Sequence, residues 1–176
     1  PRASLLTATL QSDHHHRGAA QPAGPAKCAA ELGEGHSTLF RSEDRPSDPS
    51  RTYRRRLTVG LRFNVTKPGS VVAVRFFKAA AEGGAGHAAR VYEATTGRLL
   101  GGTTTTVDDG RCKDGWVSIP LPTAIPVKPG STYIAAIDSM LHWPASFGYF
   151  GGPAAAGDVV PVDRAGAVGP AAQMPD

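Results

Sequence analysis

From Leu57 to Lys78 the chain reads LTVGLRFNVTKPGSVVAVRFFK, two alternating segments joined by a Lys-Pro-Gly-Ser turn. In the first segment apolar side chains occupy every second position, at Val59, Leu61, Phe63 and Val65. Because a period of two puts alternate side chains on opposite faces, this segment predicts a half-buried β-strand. The second segment contains adjacent phenylalanines, Phe76 and Phe77. Their rings point to opposite faces, which predicts a central strand covered on both sides.

Similar strand patterns, separated by turn residues, continue downstream. The predicted strands are Ala88–Ala94, Leu99–Val107, Val117–Leu121, Thr132–Asp138 and Phe147–Phe150. Pro120 cannot donate a ladder hydrogen bond, so we expect it at a sheet edge or beside a bulge. Six or seven strands with closely spaced turns indicate an all-β fold, an antiparallel β-sandwich. Jelly-roll and immunoglobulin-like topologies are both compatible with this pattern.

The 176 residues suffice for one domain with a substantial core and leave too little chain for a second. The 21 glycines and 15 prolines are spread throughout, which indicates many turns and short elements. We expect an irregular N-terminal arm over residues 1–36, the sandwich over residues 37–168 and a short tail over residues 169–176. Within the arm, Leu5 to Leu10 alternates loosely and is compatible with one strand.

The formal net charge is +4, and the dense basic run is Arg54-Arg55-Arg56. Nucleic-acid binders usually cluster basic residues with interleaved aromatics on one face, so no nucleic-acid partner is expected. The run is most simply a solvated edge beside a strand, with contact to a phosphate or an acidic glycan as the alternative. The sequence has no run of about eighteen apolar residues, so no membrane span is expected.

Cys28 and Cys112 are the two cysteines, and they lack metal-site spacing. If they pair, they close a long loop, which stabilises by about 4 kcal/mol on the chain-entropy model. Asn64-Val65-Thr66 is a glycosylation sequon, so Asn64 is a candidate glycosylation site. Both features suit an exported protein, extracellular or at the cell surface.

The strand motifs, taken in order, resemble a known family. They include LTVGLRF at Leu57–Phe63, GSVVAVRFFK at Gly69–Lys78 and PGSTYIAA at Pro129–Ala136. Together they resemble the secreted domain-of-unknown-function family number 4082, over roughly residues 37–168. The resemblance implies a β-sandwich module appended to extracellular bacterial proteins, beside glycan-acting or immunoglobulin-like modules. It implies no catalytic residues, and the N-terminal segment and the cysteine pair depart from its pattern.

Aromatic residues in predicted loops are the candidate ligand contacts. Trp143 lies in the sequence His142-Trp143-Pro144, which is typical of a loop, and Tyr149 follows shortly after. An exposed aromatic ring can stack on the C–H groups of a sugar. Trp116 begins a predicted strand and is expected in the core. We therefore predict a glycan contact at Trp143, His142 and Tyr149.

Two groups of residues are candidate metal ligands. The consecutive His14, His15 and His16 offer imidazoles to a transition metal, although adjacent residues in regular structure cannot all face one ion. Carboxylates around a glycine-containing loop can hold calcium, and the loop's acids are Asp108, Asp109 and Asp114. The simpler alternatives are a solvated histidine tail and aspartates that cap their own turns.

Signatures of an enzyme are missing from the sequence. There is no Gly-x-Ser-x-Gly elbow and no phosphate-binding glycine motif. Most glutamates fall in predicted loops or in the arm, without rigid support for a glycosidase pair. We therefore expect a non-catalytic module that binds polysaccharide or glycoprotein glycans, in an adhesive role.

Two other functions remain open at this point. The N-terminal arm offers a strand to the sheet edge of a neighbour, which would build a homo-oligomer or filament. The histidine cluster alternatively suits a metal-binding accessory protein.

Overall fold

The computed structural model describes residues 2–12, 25–28, 35–83, 86–107, 112–147 and 157–175. Within these residues the chain forms eleven β-strands, and a 3₁₀ helix spans Ala80–Glu82. The strands are β1 (Arg2–Ser4), β2 (Leu6–Ser12), β3 (Lys27–Cys28), β4 (His36–Ser37), β5 (Asp48–Val65), β6 (Gly69–Lys78), β7 (Ala88–Glu93), β8 (Leu99–Gly102), β9 (Gly115–Val127), β10 (Tyr133–Phe147) and β11 (Val159–Pro170).

The strands make two antiparallel sheets that pack against each other. Sheet A has the order β11-β5-β10-β7-β8, and β1 pairs with the C-terminal end of β10. Sheet B has the order β3-β9-β6-β2-β4. The predicted all-β, antiparallel sandwich is confirmed.

The core between the sheets is made of the alternating side chains that define the strands. Val59, Leu61 and Phe63 of β5 are buried in one apolar cluster with Val74 and Phe76 of β6. Burying a large apolar side chain stabilises a fold by about 1.5–3 kcal/mol. The cluster is therefore the main source of stability, and it sets which face of each strand points inward.

The central strand β6 is covered on both faces, as its adjacent phenylalanines predict. Phe76 and Phe77 are both buried. On the outer face of sheet B, the Phe77 ring meets the Trp116 ring edge-on at 5.7 Å between centroids. Phe40 also packs on Trp116, at 5.6 Å, so the chain before β5 covers this face.

Pro120 lies beside an irregularity in the pairing of β6 with β9. The register is regular from Ala73–Pro120 to Lys78–Gly115 and shifts between Val71 and Ala73. The expectation of a proline next to a bulge is confirmed, because the missing N–H falls where the ladder is already interrupted.

The N-terminal segment is not an irregular arm where the structure describes it. β2 lies inside sheet B between β6 and β4, and Leu6, Ala8 and Leu10 are buried. The short alternation around Leu10 is enough for a strand once β6 supplies its hydrogen-bond partners. Both β1 and β2 pair within their own chain, so assembly by arm exchange would require β2 to leave the sheet. Such assembly stays a prediction.

The C-terminal end also differs from the predicted tail. β11 pairs with β5 along the edge of sheet A. The chain then turns back, and the backbone N–H of Ala172 donates to Asp138 Oδ1 at 2.6 Å. Met174 packs against Tyr92 and Ile134. The segment after β11 therefore covers the outer face of sheet A, a contact that its small residues do not reveal in sequence.

A disulfide joins Cys28 of β3 to Cys112, just before β9. The two residues are 84 positions apart in sequence and their Cα atoms lie 5.2 Å apart. The pairing considered in the sequence is confirmed, and a loop of this length corresponds to about 4 kcal/mol of stabilisation on the chain-entropy model.

Candidate functional site

Trp143, the predicted sugar platform, does not lie in a loop. It lies within β10, opposite Arg51 of β5, and is 5 % exposed. With Leu5, Phe77 and Pro144 it lines an apolar cavity of about 10 Å³, which is room for at most one water. The prediction of an exposed ring in a loop is wrong, because Trp143 lies in the core between the sheets, beside Leu6 of β2 and Phe76 of β6.

The other predicted site residues are dispersed or fall outside the described part of the chain. Asp114 is exposed in the segment before β9. Those outside the described residues are Tyr149, His14, His15, His16, Asp108 and Asp109. Within the described ranges, no three His, Cys, Asp or Glu side chains converge as a metal site. The metal hypotheses stay predictions.

Asn64, the predicted glycosylation site, lies near the end of β5 and is half-buried. Its side-chain amide is oriented to donate to Thr132 Oγ1 at 2.8 Å and to the Ser131 carbonyl at 3.3 Å. A glycan attached there would displace these hydrogen bonds.

His142 lies beside a large interruption in sheet A. Leu57 of β5 pairs with Met140 of β10, whereas Thr52 pairs with His142. Residues 53–56 of β5 therefore stand opposite Leu141 alone. We call residues 53–56 the arginine bulge, since they contain Arg54-Arg55-Arg56. Such irregularities re-aim side chains and often accompany functional sites.

The exposed side chains that the structure describes at the bulge are cationic or carry a hydroxyl group, and the nearest carboxylate, that of Glu82, is buried beneath them. Arg55 and Arg56 are exposed. Thr52 is exposed as well, and its Oγ1 lies 2.9 Å from Nδ1 of the half-buried His142. Guanidinium groups bind planar anions such as carboxylates through parallel N–H bonds. The surface is therefore suited to an acidic ligand that also carries hydroxyl groups.

Glu82 holds this region in place from the 3₁₀ helix. Its carboxylate accepts hydrogen bonds from the backbone N–H groups of Leu141, at 3.1 Å, and of His142. Arg56 Nη1 lies 3.4 Å from Glu82 Oε1. Because the bulge interrupts the ladder at Leu141, the carboxylate supplies acceptors that the neighbouring strand cannot.

His87 completes the buried part of the site. Its Nε2 lies 3.1 Å from Glu82 Oε1, and both side chains are fully buried. Burial by itself would raise the pKa of Glu82. The hydrogen bonds from His87, His142 and Leu141, with the attraction of His87, outweigh that effect and lower the pKa below its usual value. The lowered pKa keeps Glu82 in its charged form, in which it accepts the hydrogen bonds that position the strand opposite the bulge.

Sequence reasoning missed the roles of Glu82 and His87. The glutamate falls in a predicted loop, and a glycine-rich stretch separates it from the histidine. Its main partners, Leu141 and His142, lie far along the chain. A contact between residues so far apart in the chain leaves no pattern in the local sequence around Glu82.

Comparisons with known proteins identify the domain and leave its ligand open. A family model described as Domain of unknown function (DUF4082) matches residues 43–175. The matched region contains β5 to β11, and with them the arginine bulge, Glu82 and His142. No curated protein and no solved structure matches the chain.

Proposed function

Since the chain belongs to the family described as Domain of unknown function (DUF4082), as its strand motifs predict, we propose that it is a non-catalytic extracellular module that binds acidic glycans through the arginine bulge. The observation that carries this proposal is the exposure of Arg55 and Arg56 beside Thr52 and His142, at an irregularity held by a buried carboxylate.

An acidic glycan fits this surface better than a neutral one. Neutral sugars are commonly bound by an exposed aromatic ring, whereas Trp116 and Trp143 are both buried. The guanidinium groups of Arg55 and Arg56 instead match the carboxylate or sulfate groups of an acidic polysaccharide. The Thr52 hydroxyl can form hydrogen bonds with sugar hydroxyls. The acidic groups and the hydroxyl groups of the glycan therefore each have a partner on this surface.

The rigid support beneath the bulge favours binding. Glu82 fixes Leu141 and His142 through their backbone and contacts Arg56 through its side chain. A surface that is already ordered loses less conformational freedom when a ligand arrives. The same geometry opposes catalysis, because Glu82 is fully buried and engaged and cannot protonate a glycosidic oxygen.

Two features support an extracellular location. The Cys28–Cys112 disulfide is of a kind that persists in oxidising compartments. Among the described residues, no helix has the length and apolar character needed to cross a membrane.

Affinity electrophoresis in gels containing polygalacturonate or a neutral glucan tests the proposal. We expect the acidic gel to retard the protein and the neutral gel to leave its migration unchanged. Replacing both arginines, Arg55→Ala/Arg56→Ala, should weaken the apparent affinity at least about tenfold, since a hydrogen bond to a charged group contributes about 1.5–3 kcal/mol.

The matched control removes the same charge elsewhere on the surface. Lys113 and Lys128 are both exposed, so Lys113→Ala/Lys128→Ala lowers the net charge equally. This control should change the affinity less than about twofold, because exposed charges far from a ligand are screened by salt. Equal losses in the two double variants, or no retardation of the wild type by any acidic polysaccharide, would refute the proposal.

A further inference from the structure

The outer face of sheet B contains a buried arginine. Arg75 of β6 is 1 % exposed, and its guanidinium carbon lies 4.7 Å from the centre of the Trp116 ring. Its Nη2 donates to Ser42 Oγ at 3.0 Å. Nε and Nη1 have no hydrogen-bond partner within the described residues. A buried cation ordinarily has all its donors hydrogen-bonded, whereas two of the three nitrogen atoms of this guanidinium group have no acceptor.

Residues 41–47 cover this arginine, and we call them the lid. The preceding residues, Leu39 and Phe40, are buried in the core, whereas much of the lid is exposed. The lid touches the sheet through hydrogen bonds from Arg75 to Ser42 and from Trp116 Nε1 to the Asp44 carbonyl at 3.1 Å, and through the Arg45 guanidinium carbon, 5.7 Å from the centre of the Phe77 ring. Burial lowers the pKa of Arg75, and the charge of Asp44 acts in the opposite direction without a direct hydrogen bond. Lifting it would break these contacts while the apolar anchor before it stays in place.

A carboxylate would satisfy Arg75 better than the lid does. In a guanidinium group Nη2 has Nε on one side and Nη1 on the other, so a carboxylate that accepts from Nη2 can also accept from a neighbour. The Ser42 hydroxyl accepts from Nη2 alone. A displaced lid would also free the indole N–H of Trp116.

A second orphan polar group lies on the same face. Thr9 of β2 is buried, and its Oγ1 has no partner in the described part of the chain. Thr9 pairs with Ala73, two residues from Arg75 on β6, so both side chains point to the outer face. A ligand that carries a hydroxyl group near its carboxylate would offer a hydrogen-bond partner to both the Arg75 guanidinium and Thr9 Oγ1.

We propose that Arg75, Trp116 and Thr9 form a second binding site, for the carboxylate and neighbouring hydroxyl of a uronic acid, and that Ser42 and Asp44 occupy it when the lid is closed. The site stands on the buried arginine, while the choice of a sugar carboxylate rests on the proposed function. This site lies on sheet B, and the arginine bulge lies on sheet A.

Substitutions at the exposed Ser42 test the lid without touching the core. Ser42→Ala removes the hydrogen bond that Arg75 makes to the lid, and should tighten binding of a galacturonate trimer about fivefold, the equivalent of one net hydrogen bond. Ser42→Asp places a carboxylate on the lid, which should satisfy Arg75 internally and weaken binding at least about tenfold.

The readout is the indole N–H signal of Trp116 in ¹⁵N-labelled protein, titrated with the trimer in an Arg55→Ala/Arg56→Ala background. A neutral galactose trimer is the ligand control and should leave the signal unmoved. An unmoved signal with the acidic trimer in all three proteins, or equal affinities across them, would overturn the second site. If that happens while polygalacturonate binding still depends on Arg55 and Arg56, the proposed function stands without it.

Discussion

Replacing Glu82 with glutamine should destabilise the protein strongly, although the two side chains have nearly the same shape. One carboxylate oxygen faces His87 Nε2, and both oxygens face the backbone N–H groups of Leu141 and His142. A glutamine has one acceptor oxygen and carries no charge. The amide keeps both backbone contacts only with its NH₂ towards His87 Nε2, which must then carry no proton, and in the other orientation the NH₂ faces the N–H groups of Leu141 and His142.

The magnitude follows from the kind of contact that is lost. A hydrogen bond to a charged group contributes about 1.5–3 kcal/mol, and Glu82 accepts such bonds from two backbone N–H groups. Arg56 adds little, since its side chain is 45 % exposed. We expect a loss of about 3 kcal/mol at neutral pH. For a chain of this size that corresponds to a fall in Tm of about 6–12 °C.

The dependence on pH gives a second, independent signature. The folded-state pKa of Glu82 lies below the unfolded value, which is about 4.3. The charged carboxylate therefore stabilises the fold above that unfolded pKa, and this stabilisation is lost as the pH falls through the folded pKa. The difference in unfolding free energy between wild type and Glu82→Gln should accordingly shrink below about pH 4.

Urea unfolding of both proteins at pH 7 and at lower pH measures these effects. Glu93→Gln is the control, because Glu93 lies 3.8 Å from the exposed Arg98 in a surface pair that should contribute less than about 1 kcal/mol. If Glu82→Gln costs no more than Glu93→Gln, or if its cost does not change with pH, Glu82 does not hold the bulge as we infer.

Two further substitutions test the architecture. Leu10→Ala should cost about 2–5 kcal/mol because the side chain is fully buried in β2, whereas Leu99→Ala, at a residue that is 53 % exposed, should cost less than about 0.5 kcal/mol. Similar losses in urea unfolding would mean that β2 is not part of the core. Cys28→Ser/Cys112→Ser should cost about 4 kcal/mol, and reducing the wild type should have the same effect. A wild type whose stability is insensitive to reduction would count against a bond that constrains the unfolded chain.

The strands that were predictable are those whose pattern is local. Leu57–Val65 and Val71–Lys78 place large apolar side chains at short, regular spacing, and the structure has both within strands, β5 and β6. The second half of β11, from Ala165 to Pro170, carries alanine, glycine and proline around a single valine. Small side chains leave little periodic signal, so its membership of sheet A depends on β5 lying next to it.

The candidate site was predictable in only one of its described parts. Arg54-Arg55-Arg56 stands out as a basic run, and contact with an acidic glycan was an alternative reading of it. His142 is a candidate in the sequence only through its neighbour Trp143, which the structure buries. No sequence pattern marks Glu82. Its role comes from accepting hydrogen bonds from the backbone N–H groups of Leu141 and His142, which lie at the register shift of β10, far from Glu82 in the chain.

Alternation and turn chemistry were enough to establish two stacked antiparallel sheets, since a strand's inward and outward faces follow from the geometry of a single residue pair. Which surfaces remain free is a different kind of property. It depends on which strands become neighbours and where their ladders slip, and both are settled by contacts between residues far apart in the chain. For that reason Trp143 is buried in the core between the sheets, while Arg55 and Arg56 are exposed where four residues of β5 stand opposite one residue of β10.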